Sequence, residues 1–81
     1  MDEAEAFRML DGIFREVFDD DALSVKPETS AKDIPGWDSF NHINIIIAAE
    51  TRFGVKFTTA EVERLRNVGD FVALILQKMA S

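Results

Sequence analysis

The fold class is decided by residues 38–54, whose sequence is DSFNHINIIIAAETRFG. The stretch opens on Asp38 and Ser39, which are both favoured at helix N-caps, and closes on Gly54, a residue type that commonly ends helices. Three consecutive isoleucines are compatible with a strand, but the pattern is too long for a typical one. The stretch therefore predicts a helix to about Arg52. Its apolar stripe consists of Phe40, Ile43, Ile46 and Ile47.

Upstream, a first helix is indicated by Asp2 and Glu5, which have the spacing of a capping box. Its helical pattern ends at three consecutive carboxylates, residues 19–21, because negative charge is unfavourable at a helix C-terminus. Residues 20–38 then form a long connection that contains two prolines. The apolar face of the first helix consists of Phe7, Leu10, Ile13, Phe14, Val17 and Phe18. The predicted anchors of the loop on the core are Leu23, Val25, Ile34 and Trp37.

Downstream, Thr58 and Glu61 form a second capping-box pair and predict a short helix over residues 60–66. Asn67 is placed to cap a fourth helix. The inward face of that helix is predicted to consist of Val68, Phe71, Val72, Ile75 and Met79. The fold class is therefore all-α: a small four-helix bundle with three longer helices, one short helix and a long loop between helices 1 and 2. We expect a single domain over residues 1–81.

Composition argues against several classes of function. The chain has no cysteine and one histidine, His42, which rules out disulfides, a catalytic thiol and multi-histidine zinc sites. A net charge of −6 argues against nucleic acid binding, because phosphate contacts need a basic surface. The longest apolar runs, residues 45–49 and 71–76, are far shorter than the ~20 residues of a membrane span. We expect a cytoplasmic monomer that does not insert into membranes.

The negative charge is concentrated in one half of the chain. Residues 1–38 contain eleven acids and four bases, a net charge of −7. Residues 39–81 contain four acids and five bases, a net charge of +1. The excess negative charge therefore precedes Ser39.

Ser39 supports more than one local interpretation. A serine at the start of a helix usually serves only as the N-cap. The same position places its hydroxyl beside free backbone N–H groups and the positive end of the helix dipole, where a phosphate ester would be stabilised. His42, one turn later, also allows a small Ser–His hydrolase, although the sequence supplies no orienting acid or oxyanion hole. We expect His42 to be solvent-exposed or to face a partner.

Several segments occur in an order that is typical of one family. Residues 36–40 read GWDSF where that family has an Asp-Ser-Leu motif, and the aliphatic helix of residues 43–49 follows. Residues 50–55 read ETRFGV where the family has an acidic stretch and then Phe-Gly. Two threonines at 58–59 open the short helix, and residues 67–70 open the last helix. Together these segments resemble an acyl carrier protein along nearly the whole chain.

The resemblance implies a carrier rather than an enzyme. Ser39 would be esterified with 4'-phosphopantetheine from coenzyme A by a phosphopantetheinyl transferase, and Asp38 would help to hold the metal ion during attachment. The thiol of the arm would then carry an acyl group between acyl-loading enzymes and acyl-transfer or condensing enzymes. A chain without cysteine must borrow such a thiol, which agrees with this role.

The resemblance also implies a place for the acyl chain. The third helix and the loop before it would form a wall that opens, with Leu65 and Val68 as part of the lining. Phe40, Ile43 and Ile47 are core residues by default, but beside a tethered apolar group they could also line a slot.

The sequence departs from the family in two ways: a bulkier residue after the serine, which should change the local pocket, and a loss of acids on the second helix, which points to specialised partners. Phe40 replaces the usual leucine, Asn41 and Asn44 stand where acids are common, and Arg52 interrupts the acidic stretch. Because peripheral charges set encounter rate and partner choice, we expect a specialised stand-alone carrier with dedicated enzymes. An acyl cargo is favoured over an aminoacyl or peptidyl one, since those carriers more often have Gly-Gly before the serine. A helical interaction module and the hydrolase remain as alternatives.

Overall fold

The structure, a computed structural model, describes residues 1–80 and contains four helices. They are α1 (Glu3–Phe18), α2 (Ser39–Phe53), α3 (Thr59–Glu63) and α4 (Val68–Ala80). Helix α1 packs against both α2 and α4. No strand occurs among the described residues, and the predicted all-α bundle with one short helix is confirmed.

The ends of α1 and α2 lie close to where the sequence predicts them. A carboxylate oxygen of Asp2 accepts a hydrogen bond from the Glu5 N–H at 2.8 Å and caps α1. Helix α1 is terminated by its C-cap, Asp19, which is left-handed (φ 51°) and donates its N–H to carbonyls of the last turn. Gly54, also left-handed (φ 69°), ends α2 through a bond from its N–H to the Glu50 carbonyl.

The buried face of α2 differs from the prediction. Phe40, Ile43 and Ile47 are 63%, 57% and 54% exposed. The inward residues of α2 are Ile45, Ile46, Ala49 and Phe53. Because three isoleucines follow one another, the sequence is compatible with either of two faces of α2 turned inward, one with Ile43 and Ile47 and one with Ile45 and Ala49. Packing against α1 selects the face with Ile45 and Ala49. The default assignment of Phe40, Ile43 and Ile47 to the core is therefore wrong.

Two details of the C-terminal half are also corrected. Met79 is 40% exposed rather than inward-facing. Helix α3 ends at Glu63, not at Arg66. The Arg66 N–H bonds to the Asp70 carboxylate at 3.1 Å, and the Arg66 guanidinium bonds to the same oxygen at 3.0 Å. These contacts with the first turn of α4 take the Arg66 N–H out of the helical pattern.

The long loop is fixed to the helices by hydrogen bonds as well as by its apolar anchors. The Val25 N–H donates to the Asp11 carboxylate at 2.8 Å, and the Arg15 side chain donates to the Leu23 carbonyl at 2.7 Å. Val25 itself is buried, as is Ile34, and Leu23 and Trp37 pack against the core. The four predicted anchors of the loop are confirmed.

The start of α4 holds the middle of this loop. The N–H groups of Val68 and Gly69 donate to the carbonyls of Thr29 (2.9 Å) and Pro27 (2.8 Å). The side-chain oxygen of Asn67 accepts a hydrogen bond from the Asp70 N–H at 2.8 Å, which confirms its predicted role as the N-cap of α4. N–H groups that have no partner within a helix are thus satisfied by the loop, which orders the chain ahead of α2.

Gly69→Ala is expected to destabilise the protein by about 1–3 kcal/mol. A Cβ at Gly69 would lie 2.9 Å from the Pro27 carbonyl oxygen, so the loop would have to move away from α4. Gly12→Ala is the matched control, because a Cβ there has no neighbour within 4 Å. This control should stabilise α1 by about 0.5–1 kcal/mol. Urea unfolding measures both effects, and a Gly69→Ala protein as stable as wild type would contradict the packing described.

Candidate functional site

Asp38, and not Ser39, caps helix α2. The Asp38 residue is extended (φ −110°, ψ −173°), and its carboxylate accepts a hydrogen bond from the Asn41 N–H at 2.9 Å. Its carbonyl accepts from the His42 N–H at 2.8 Å, which is the first bond of the helix. Ser39 is the first helical residue, and it is exposed. The interpretation of Ser39 as the cap is therefore wrong, and its hydroxyl is not used to hold the helix.

The turn before Ser39 is fixed by Asn41. The Asn41 side-chain amide donates to the Gly36 carbonyl at 2.7 Å, while its backbone N–H binds the cap Asp38. Gly36 is left-handed (φ 88°), a conformation that side chains rarely adopt. A carboxylate at position 41 has no proton to donate to the Gly36 carbonyl. Asn41 thus has a structural function that an acid could not provide.

His42 is half-buried between Trp37 and helix α3. The Trp37 indole N–H donates to Nδ1 of His42 at 3.1 Å, and the two rings stack with centroids 6.1 Å apart. Burial lowers the pKa of His42, and a hydrogen bond with the Val62 backbone partly opposes this shift. Since Nδ1 accepts from Trp37, the proton of the neutral ring is assigned to Nε2. The expectation of a solvent-exposed ring is therefore corrected.

The same hydrogen bonds argue against a Ser–His hydrolase. A general base needs a ring nitrogen with a free lone pair close to the serine hydroxyl. In His42 the acceptor nitrogen is occupied by the Trp37 N–H, and the other nitrogen is protonated. His42 therefore holds Trp37 in place beside Ser39 and does not activate the Ser39 hydroxyl.

Trp37→Phe is expected to raise the pKa of His42 towards its ordinary value. The indole N–H stabilises the neutral imidazole, and phenylalanine keeps the ring but removes this donor. The only histidine of the chain can be titrated by NMR without ambiguity. An unchanged His42 pKa in Trp37→Phe would contradict the assigned hydrogen bond.

The lowered pKa of His42 also sets the sign of a pH effect on stability. Below about pH 6.5 the His42 side chain binds a proton more readily in the unfolded chain than in the folded one. The free energy of unfolding therefore decreases as the pH is lowered, until the pH reaches the depressed pKa of the folded state. The part of this pH dependence that comes from His42 should be smaller in Trp37→Phe. Urea unfolding of the two proteins across that range measures the difference.

An open groove runs beside Ser39, between the start of α2 and helix α3. It brings four of the sequence-predicted site residues close to Ser39, namely Asp38, His42, Ile43 and Leu65. Phe40 and Ile47 lie on the exposed face of α2 instead, and Val68 is fully buried in the core. Residues that line the groove but were missed as site residues are Ala31, Trp37, Val62 and Glu63. The sequence could have indicated Val62 as a lining residue, because it lies three residues before the predicted lining residue Leu65 and so on the same side.

The described residues offer no resident metal site and no membrane-spanning segment. Within residues 1–80, no three histidine or carboxylate side chains are grouped so that they could hold an ion. None of the four described helices is both long and apolar enough to cross a bilayer.

Comparison with known proteins places the chain in a family. It is 36% identical over 69 residues to an acyl carrier protein of Acidothermus cellulolyticus, a match that covers 85% of this chain and 82% of the relative. It is 32% identical over 75 residues to an acyl carrier protein of Thermotoga maritima, covering 93% of each chain. The chain belongs to the acyl carrier protein family. No family model matches the sequence.

A solved structure agrees with this assignment to the acyl carrier protein family. The chain resembles the solution NMR structure of a holo acyl carrier protein from Geobacter metallireducens with a TM-score of 0.87 and 44% sequence identity. The match covers 93% of this chain and 86% of that one. As an acyl carrier protein, the chain is a carrier and not an enzyme.

Proposed function

We propose that this acyl carrier protein holds acyl intermediates as thioesters on a 4'-phosphopantetheine arm attached to Ser39. The observation that carries the proposal is the free, exposed hydroxyl of Ser39 at the first position of α2, beside a cap that another residue provides. The arm supplies a thiol whose thioester keeps the acyl carbonyl reactive. A sequence without cysteine has no thiol of its own for this task.

The residues around Ser39 fit a phosphodiester. The first N–H groups of a helix have no partner within the helix, so those of Ser39 and Phe40 favour a phosphate. Asp38 uses one carboxylate oxygen for the cap, and its charge would repel a phosphate unless a cation stands between them. Asp38 is therefore the residue to hold a metal ion during attachment. The groove beside Ser39 is open to the arm and to part of its cargo, and its apolar lining includes Ile43, Val62 and Leu65.

The partners in this proposal are a phosphopantetheinyl transferase and a dedicated set of acyl-loading and acyl-transfer or condensing enzymes in the cytoplasm. The cargo is a fatty, polyketide or related acyl group in a specialised pathway. Asn41 and Asn44 support the specialisation, because they stand where carriers of the general fatty-acid pathway commonly have acids. A general ketosynthase that used this carrier as efficiently as its own would contradict the specialisation while leaving the carrier function intact.

Co-expression with a broad-specificity phosphopantetheinyl transferase tests the carrier function. Intact-mass analysis should show the gain of one phosphopantetheinyl group. Ser24→Ala, which removes another exposed hydroxyl, should gain the same mass. A chain that stays unmodified with several such transferases would contradict the proposal and favour a helical interaction module.

A further inference from the structure

Two stacked rings, those of Trp37 and His42, lie in the groove beside Ser39. The Trp37 indole N–H donates to Nδ1 of His42 at 3.1 Å, and the ring planes meet at 22°. Val68, at the start of α4, is fully buried and does not line the groove. The groove therefore gives access to the two rings and not to the core of the bundle.

The two rings are anchored to other elements of the fold. Trp37 contacts Phe14 of α1 edge-on, with ring centroids 5.2 Å apart, and Phe14 is fully buried. His42, which belongs to α2, forms a hydrogen bond with the backbone of Val62 in α3. Because a fully buried ring is fixed by close packing on all sides, Phe14 holds Trp37, and Trp37 in turn holds His42.

Helix α3 depends on a few such contacts for its position. It has five residues, and none of them is buried. Near its start, Glu61 forms an ion pair with Lys78 at 2.9 Å, which joins α3 to α4. The hydrogen bond of His42 with the Val62 backbone joins α3 to α2. Loss of the His42 side chain would therefore free α3 on the side of α2 while its attachment to α4 remains.

We propose that His42, held by Trp37, closes the gap between α2 and α3 and so keeps the acyl group in the open groove and out of the bundle. The inference rests on the proposed function, since it assumes an arm on Ser39. It assigns short acyl groups to this carrier, because a long chain would leave much of its apolar surface in water. A short group is accommodated by the apolar part of the groove lining, Ile43, Val62 and Leu65.

The test loads each protein with a butanoyl or an octanoyl arm, using the transferase that modifies the wild-type chain and the two acyl-coenzyme A compounds. In wild type, the melting temperatures of the two acyl forms should differ by less than about 1 °C. In His42→Ala, the octanoyl form should melt about 5 °C or more above the butanoyl form, because the longer chain enters the gap and buries more apolar surface. Comparison within one variant cancels the effect of the substitution itself.

Two further variants and an NMR measurement complete the test. Thr51→Ala, at an exposed position of α2 outside the groove, is the matched control and should behave as wild type. Trp37→Phe removes the bond to His42 and should show the effect of His42→Ala in smaller size, so it carries the test if His42→Ala does not fold. The methyl signals of Val68 should differ between the two acyl forms in His42→Ala and not in wild type.

Three outcomes would overturn the inference. An octanoyl arm that stabilises wild type by about 5 °C over the butanoyl arm and shifts the Val68 signals would show that the gap opens with His42 in place, and would leave the carrier function standing. Acyl forms of equal stability in both His42→Ala and Trp37→Phe would show that His42 does not close the gap. A wild-type chain that no transferase modifies would remove the proposed function and this inference together.

Discussion

Ser39→Ala is expected to abolish attachment of the phosphopantetheine arm without measurable loss of stability. The loss is complete because the oxygen that forms the phosphodiester is removed. Stability should be unchanged because the cap of α2 is the Asp38 carboxylate, which bonds the Asn41 N–H at 2.9 Å. Intact mass after incubation with a transferase and coenzyme A, together with urea unfolding, measures both parts.

Changes at Asp38 separate the cap from the metal function. Asp38→Ala should cost about 1 kcal/mol, the usual effect of removing an N-cap. Asp38→Asn should keep most of the cap, because its side-chain oxygen still accepts the hydrogen bond, but it should slow attachment by loss of the charge that holds a cation. If Ser39→Ala lost as much stability as Asp38→Ala, the assignment of the cap would be wrong.

Phe14→Ala is expected to destabilise the protein by about 3–5 kcal/mol, a large share of the stability of so small a domain. Phe14 is fully buried, and its ring contacts Trp37 edge-on with centroids 5.2 Å apart. Its loss would leave a cavity below Trp37 and so loosen the residue that holds His42. Urea unfolding measures the stability, and the NMR signal of His42 reports on the site.

Phe40→Ala is the control for this effect, because it removes the same side chain from a position that is 63% exposed. Its effect on stability should stay within about 0.5 kcal/mol, as for most surface substitutions. Similar losses in Phe14→Ala and Phe40→Ala would mean that the core is not centred where the structure places it.

Local signals in the sequence predicted most of the fold. The caps Asp2 and Asn67, the capping box between Thr58 and Glu61 that opens α3, and Gly54 directly after α2 fix the helix boundaries through bonds between neighbouring residues, which spacing alone reveals. The loop anchors Val25 and Ile34 could be recognised because they are isolated apolar residues in a polar connection. Features that depend on interactions between residues close in sequence can thus be predicted without a structure.

Features set by tertiary contacts were not predictable in the same way. The phase of α2 is ambiguous in the sequence, since Ile45, Ile46 and Ile47 satisfy two helical faces, and packing on α1 decides between them. The Arg66 N–H does not continue helix α3 because it donates to the Asp70 carboxylate of α4, a contact that the sequence does not reveal. The half-burial of His42 depends on a tryptophan five residues earlier in an irregular loop.

In the candidate site, too, local features could be predicted from the sequence and features set by tertiary contacts could not. The position of Ser39 followed from motifs, and the structure added that its hydroxyl is not needed for capping. The departure at Asn41 could be noticed in the sequence, but its reason, a hydrogen bond to the Gly36 carbonyl, required coordinates. Asn44 is exposed and has no comparable bond to the loop, which makes it the stronger indicator of unusual partners.

The central claim is that Ser39 carries the arm, and mapping the modification by tandem mass spectrometry tests it most directly. Trypsin cleaves after Lys32 and Arg52 and releases a peptide of residues 33–52, whose only hydroxyl side chains are Ser39 and Thr51. After co-expression with a transferase, fragment ions should place one phosphopantetheinyl group on Ser39, with Thr51 unmodified. A group located at Thr51 or outside this peptide, or no group with any transferase tried, would contradict the account.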